Sequence, residues 1–160
     1  MWKIALSLLT VLALGSCSTV QRPLSQGNRP ITELSSGLIW PLSKIDVSSN
    51  FGYRGGDLHA GIDLRAPAGS KIYASGSGRV SFAGRMRGYG LVIVIDHGAG
   101  IETAYAHNMR NLVSAGQKVG QGQVIATVGR SGNATGYHVH FEVRRGGKPV
   151  NPVGQVNDSL

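Results

Sequence analysis

The chain has 160 residues, with 16 Lys and Arg against 8 Asp and Glu, 24 glycines and one cysteine. That length holds one domain and a tail. The glycines carry no three-residue period of the collagen kind, and a single cysteine excludes both a disulfide framework and a cysteine-built zinc site. The formal charge of +8 suits an anionic partner: nucleic acid, acidic lipid or an anionic cell-wall polymer.

The N-terminus narrows that choice. Met1-Trp2-Lys3 is a short positive start, and residues 4–15 are almost wholly apolar. The run is too short for a spanning helix and fits the core of a secretory leader. It ends in Leu14-Gly15-Ser16-Cys17, which resembles the bacterial lipobox. That resemblance implies removal of residues 1–16, lipidation of Cys17 and a membrane anchor. Ser18, which is not Asp, resembles the sorting pattern for an outer membrane, with the domain facing the periplasm. An exported protein does not meet nucleic acid, so the basic charge points to the cell envelope. Residues 18–37 are rich in Ser, Gly, Pro, Gln and Asn and read as a flexible tether, so 17–37 is the lipidated cysteine and its linker.

From Leu38 the pattern changes to short apolar runs between Gly turns. Strands are expected at 59–64, 71–74, 79–83, 91–96, 101–106, 123–128 and 138–144, with turns at Gly55-Gly56, Gly76-Ser77-Gly78, Gly98-Ala99-Gly100 and Gly146-Gly147. The run from Leu91 to Ile95 is apolar and β-branched, as in a strand buried on both faces. No helical period follows the leader. The expected fold is all-β: one antiparallel sandwich domain over 38–153, with a polar tail at 154–160. Residues 116–128 look like the turn and strand of a biotinyl or lipoyl carrier sandwich, without the modified-lysine setting, and so bear on architecture alone.

Chemistry gathers on residues 136–143. Val139, Phe141 and Val143 alternate with His138, His140 and Glu142, so on a strand the apolar side chains enter a core and the two histidines share the opposite face. Two neighbouring imidazoles are costly when both are charged, and a metal ion binds them neutral. Further ligands come from His59-Ala60-Gly61-Ile62-Asp63: on one strand His59 and Asp63 share a face, and Gly61 between them leaves room for an ion or substrate. With His140 they give two imidazoles and one carboxylate, and a fourth position for water, the pattern of a catalytic rather than a structural zinc site. No His-Glu-x-x-His helix supplies a glutamate base. His138 and His107, the latter at strand spacing from Tyr105, are left to share the base and oxyanion roles.

In these residues the sequence resembles the lysostaphin/LytM-type zinc metallopeptidases of bacterial cell walls, which have the duplicated hybrid motif fold. The likeness spans about 40–153 and includes Phe51-Gly52-Tyr53-Arg54, the His59-to-Asp63 motif, Ala66-Pro67-Ala68-Gly69, Ile95-Asp96-His97-Gly98, Tyr105-Ala106-His107, Val128-Gly129-Arg130-Ser131-Gly132, the His138-to-Val143 strand and residues 147–152. The resemblance implies zinc on His59, Asp63 and His140, catalysis by His107 and His138, and hydrolysis of peptide cross-links in peptidoglycan. Two positions depart from the family pattern, Tyr137 where Pro is frequent and Leu91 where Asn is frequent, and both bear on the substrate groove. Of the other candidates, His97 reads as structural and Arg144 and Arg145 as a solvated edge. Glu142 is either a carboxylate orienting a ligand or a solvated strand end; Tyr105 is either a substrate contact or a packing residue. Competing functions are a non-catalytic regulator of another wall hydrolase and a wall-binding domain. No phosphate-binding loop suggests a nucleotide cofactor. Zinc requires neutral His59 and His140, so activity is expected to fall in mild acid.

Overall fold

The structure is a computed structural model, and it describes residues 37–157. The leader, Cys17 and almost the whole tether lie outside the described residues. Twelve strands are present among the described residues: β1 (Val47–Ser49), β2 (Gly52–Arg54), β3 (Asp57–His59), β4 (Ile62–Arg65), β5 (Lys71–Tyr73), β6 (Gly78–Met86), β7 (Gly90–Gly98), β8 (Ile101–Asn111), β9 (Lys118–Val119), β10 (Val124–Val128), β11 (His138–Arg145) and β12 (Lys148–Val150). A single 3₁₀ turn, Pro152–Gly154, follows them. The all-β expectation therefore holds. All strand pairing is antiparallel, in a ten-stranded sheet whose main path runs β1-β4-β11-β8-β7-β6-β9 and in a separate hairpin of β2 and β3.

Two apolar clusters are built on the strands of this sheet. The larger one takes the inward side chains of every long strand, including Ile62, Leu64, Ile93, Ile95, Tyr105 and Phe141. The smaller takes Val92, Val94, Ala104 and Ala106, with Phe82 and Tyr89 against them. Strand β7 sends alternate residues into each cluster, so Val92 to Ile95 are all buried, as a continuous apolar run on a doubly covered strand requires. The predicted alternation in β11 is likewise observed: Val139, Phe141 and Val143 are fully buried in the larger core.

The expected strand at 59–64 is in fact two. The chain breaks at Ala60 and Gly61, so His59 ends β3 of the hairpin while Asp63 sits in β4 of the main sheet. Gly61 explains the break. A Cβ there would collide with the Phe141 carbonyl and press on Glu142, so the residue lets the chain cross close over β11. It leaves room for backbone rather than for a ligand. The folded part also extends past residue 153. Val156 is buried and bridges Leu38, and the Asn157 amide donates to the Leu38 carbonyl. The two ends of the described chain thus fasten one another.

Candidate active site

Strand register assembles the site. On β11, His138 lies opposite Arg65 and His140 opposite Asp63 of β4; on the other side His140 lies opposite Ala106 of β8. Small Ala106 leaves the space above the sheet open. His59 swings in from the end of the β2–β3 hairpin, whose Gly52 pairs with it. The three donor atoms converge. His140 Nδ1 is 2.8 Å from Asp63 Oδ1, His59 Nε2 is 3.2 Å from the same oxygen, and the two ring nitrogens are 3.1 Å apart. Ligand atoms about 2.0–2.1 Å from a tetrahedral ion lie roughly 3.3 Å from one another, so this donor set fits a small divalent metal. The group can hold such an ion.

Each ring is set by what lies behind it. His140 Nε2 is 3.1 Å from Glu142 Oε1, so the imidazole stands between two carboxylates. Burial pulls its pKa down, but the hydrogen bonds and charges of Asp63 and Glu142 outweigh burial and push it up to about 9. Burial pushes Asp63 up, yet the neighbouring histidines, His140 foremost, hold its carboxyl below the ordinary range. Glu142 is fully buried and is also held below the ordinary range despite its burial, by His140, Tyr89 and Arg144. The Tyr89 hydroxyl donates to its Oε1 at 2.7 Å, and Arg144 grips its Oε2 through Nε at 2.7 Å and Nη2 at 2.6 Å. Of the two readings of Glu142, the one as an orienting carboxylate is the observed one. Arg144 is correspondingly not a solvated edge residue, whereas Arg145 is exposed and donates to Gln155. His59 Nδ1 faces the Asn50 carbonyl at 2.7 Å and the Arg54 guanidinium at 2.6 Å. Donation to the carbonyl leaves the Nε2 lone pair for a ligand role.

His107 and His138 flank the donor group, with ring centroids 4.8 Å apart. Carbonyl oxygens only accept, so the contacts of His107 Nδ1 with Ser131 (2.7 Å) and of His138 Nδ1 with Gly136 (3.0 Å) assign the proton to Nδ1 in both rings. Nε2 of each is then free toward the cleft, and that of His138 is 3.7 Å from Asp63 Oδ1. Burial, the main cause, lowers the His107 pKa and favours the neutral ring.

His107 does not share a face with Tyr105, contrary to its expected strand spacing. Its φ is +63°, and β8 carries one extra residue against β7 at this point, a bulge that turns the ring to the other side of the sheet. Tyr105 points into the large core, where its hydroxyl accepts from the Ser75 amide and bonds Thr103, so its role is packing. The same network reaches His97, buried between Ser77 and Thr103, which is structural as expected. The tyrosine at the site is Tyr89, which sequence reasoning passed over; its only signal is an aromatic held between two turn glycines. The turn is locked to the 129–132 loop. Gly90 (φ +67°) and Gly132 (φ +73°) meet where a Cβ on either would strike the other segment, and the Tyr89 carbonyl accepts from the His107 amide. His59, Asp63, Tyr89, His107, His138 and His140 border an open cleft of about 370 Å³.

The sequence model of peptidase family M23 matches residues 57–152, a span that contains every residue of this cleft's donor and histidine groups. The chain belongs to peptidase family M23. The lysostaphin-type resemblance is thus a true membership. This M23 chain is 42% identical over 134 residues to the DD-carboxypeptidase/endopeptidase Mpg of Neisseria meningitidis, covering 80% of itself and 31% of that protein. It is 44% identical over 115 residues to the murein hydrolase activator NlpD of Salmonella typhimurium, covering 71% of itself and 30% of that protein. It therefore spans less than a third of either relative. Among solved structures, a zinc-containing peptidase from Vibrio cholerae superposes with a TM-score of 0.69 at 31% identity, over 78% of this chain and 41% of that one.

Proposed function

We propose that this M23 domain is a zinc-dependent endopeptidase that hydrolyses peptide cross-links of bacterial peptidoglycan. The observation that carries the reading is the complete constellation: three converging donors from His59, Asp63 and His140, with two neutral-side ring nitrogens of His107 and His138 aimed at the same cleft. Zinc held by the three would activate a water and polarise the scissile carbonyl. His107, kept neutral by burial, takes the proton of the attacking water on Nε2. His138, after taking a proton from solvent on Nε2, would donate that N–H to the oxyanion developing on the scissile carbonyl. Glu142 accepts from His140 Nε2–H, which reserves Nδ1 for the metal. The lipobox at Cys17 adds a lipid anchor at the cell envelope, on the periplasmic face of an outer membrane. The test is release of peptides from purified peptidoglycan by the full protein, abolished by a chelator and restored by zinc. A protein that binds zinc stoichiometrically and releases nothing would sink the reading.

A second reading is favoured by one finding, the 44% identity to a protein named as a murein hydrolase activator. On that reading the domain works through a partner hydrolase. It predicts that His140→Ala leaves cellular function intact.

Two measurements follow from the electrostatics. In the metal-free protein His140 carries its proton until about pH 9. The raised value means that this proton's stabilising contribution is complete below the ordinary imidazole pKa of 6.5 and is lost as pH rises through about 9. Zinc has to displace that proton. Its affinity is therefore expected to rise about tenfold per pH unit from pH 6 towards pH 9, and activity to fall in mild acid. A flat affinity over that range, followed by competition with a chromophoric chelator, would contradict His140 as a ligand. Glu142→Gln removes the negative charge behind His140 and places an amide NH2 where either His140 Nε2–H or the Arg144 guanidinium needs an acceptor. It is expected to weaken zinc binding roughly 10- to 100-fold while His59 and Asp63 remain in place, measured by the same competition.

A further inference from the structure

The donor group is bordered on its His138 side by a second hollow of about 450 Å³, lined by Arg54, Arg65, Ser48, Ser49, Tyr137 and His138 among others. Register places Arg65. It is two residues beyond Asp63 on β4, so both side chains leave the same face, roughly 7 Å apart along the strand, and its partner across the sheet is His138. Arg65 is exposed, and no acidic side chain among the described residues pairs with it. Arg54 adds a second guanidinium to both the cleft and the hollow, fixed at 2.7 Å on the Asn50 carbonyl. Ser48 and Ser49 line it as well, the Ser48 hydroxyl donating to the Asp63 backbone carbonyl at 3.1 Å. The one carboxylate on this wall, Asp63, is committed to the histidines.

We infer that this hollow is a carboxylate subsite and that Arg65 selects substrates carrying a free carboxylate within one residue of the scissile amide. The inference rests on the peptidase reading for the position of the scissile bond. Successive residues of an extended peptide are spaced about 3.3–3.6 Å, so a carboxylate next to an amide held at the donor group falls within reach of the long Arg65 side chain two residues along β4. Planar guanidinium and carboxylate groups pair through two parallel hydrogen bonds, which adds orientation to charge. The substrate class is then a direct stem-peptide cross-link whose amine-bearing carbon carries a carboxylate. A glycine bridge, which has none there, is disfavoured.

The test uses cross-linked tetrapeptide muropeptide dimers in two forms, with the carboxylate beside the cross-link amide either free or converted to the primary amide. Binding is titrated on the full zinc-loaded chain carrying His107→Asn to stop turnover, with and without Arg65→Ala, and KM is measured on the chain with His107 intact. Amidation is expected to weaken binding and raise KM about tenfold when Arg65 is present, with little change in kcat. Arg65→Ala removes the difference while zinc content stays constant, and Arg65→Lys restores part of it. Free and amidated dimers binding alike to the Arg65 protein would overturn the inference, whatever the turnover. A carboxylate preference lost in Arg65→Ala, with no cleavage of either dimer by the His107 protein, would uphold the subsite and sink the peptidase reading.

Discussion

His140→Ala is expected to remove bound zinc and to lower peptide hydrolysis by roughly 10³-fold or more. The ion's share of transition-state charge stabilisation is several kcal/mol, and each 1.4 kcal/mol is about tenfold in rate. The substitution deletes one of three donors and also takes one partner from each of two carboxylates, Asp63 at 2.8 Å from Nδ1 and Glu142 at 3.1 Å from Nε2. Glu142 keeps Tyr89 and Arg144, so its burial remains compensated and the sheet should stay folded. Asp63 loses the hydrogen bond that most depresses its pKa. Metal analysis with circular dichroism separates the outcomes: no zinc, native strand signal and no activity support the assignment. Retained stoichiometric zinc would remove His140 from the ligand set.

His107→Asn is expected to lower the rate by about 10²- to 10⁴-fold, the range of a lost general base, with zinc binding unchanged. Asparagine is the informative replacement because it tolerates the left-handed backbone that His107 occupies at φ +63°. The bulge in β8 and the hydrogen bond from the residue 107 amide to the Tyr89 carbonyl can then persist. A residue held in that conformation costs of order 1–3 kcal/mol, and such strain concentrates where geometry serves chemistry. Here it does one identifiable thing: it moves an imidazole from the core side of β8 to the side where His138 and His140 stand. Unchanged kcat in His107→Asn would show that the bulge serves the fold alone.

Period-two alternation was enough to read β11, which has a clear face preference, and a continuous apolar run was enough to read β7, which is covered on both faces. The short strands β1, β2, β9 and β12 escaped it. Each has two or three residues, largely exposed or half-buried, and is held by pairing rather than by an apolar face. The break between His59 and Asp63 was invisible for a different reason. Alternation assumes a continuous strand, and the cause of the break is a close crossing of Gly61 over β11, a tertiary contact. The two residues meet even so, from a hairpin end and a sheet strand rather than from one face. The His107 bulge defeated the same assumption and left Tyr105 open between a substrate contact and the core, where it belongs. Glu142 stood open between two readings because strand position gives the side and not the partner. Tyr89 reaches it from β7's leading turn, which no spacing rule connects to it, whereas Arg144 stands two residues on along the same face of β11.

That His59, Asp63 and His140 would come together, with His107 and His138 beside them, was legible because these side chains occur in a motif order within the span the family model matches. The structure adds what sequence could not: the carbonyl contacts that assign the proton to Nδ1 of His107 and His138, and the two carboxylates that raise the His140 pKa.

The central claim is hydrolysis of cross-links at this donor group, and muropeptide profiling tests it most directly. Zinc-loaded protein and His140→Ala are incubated in parallel with purified peptidoglycan, and the products are separated and weighed by mass spectrometry. Conversion of cross-linked dimers to monomers by the wild-type protein alone is the predicted result, and the product masses name the bond. Identical profiles from both proteins, with zinc bound to the wild type, would contradict the claim and direct attention to a partner hydrolase.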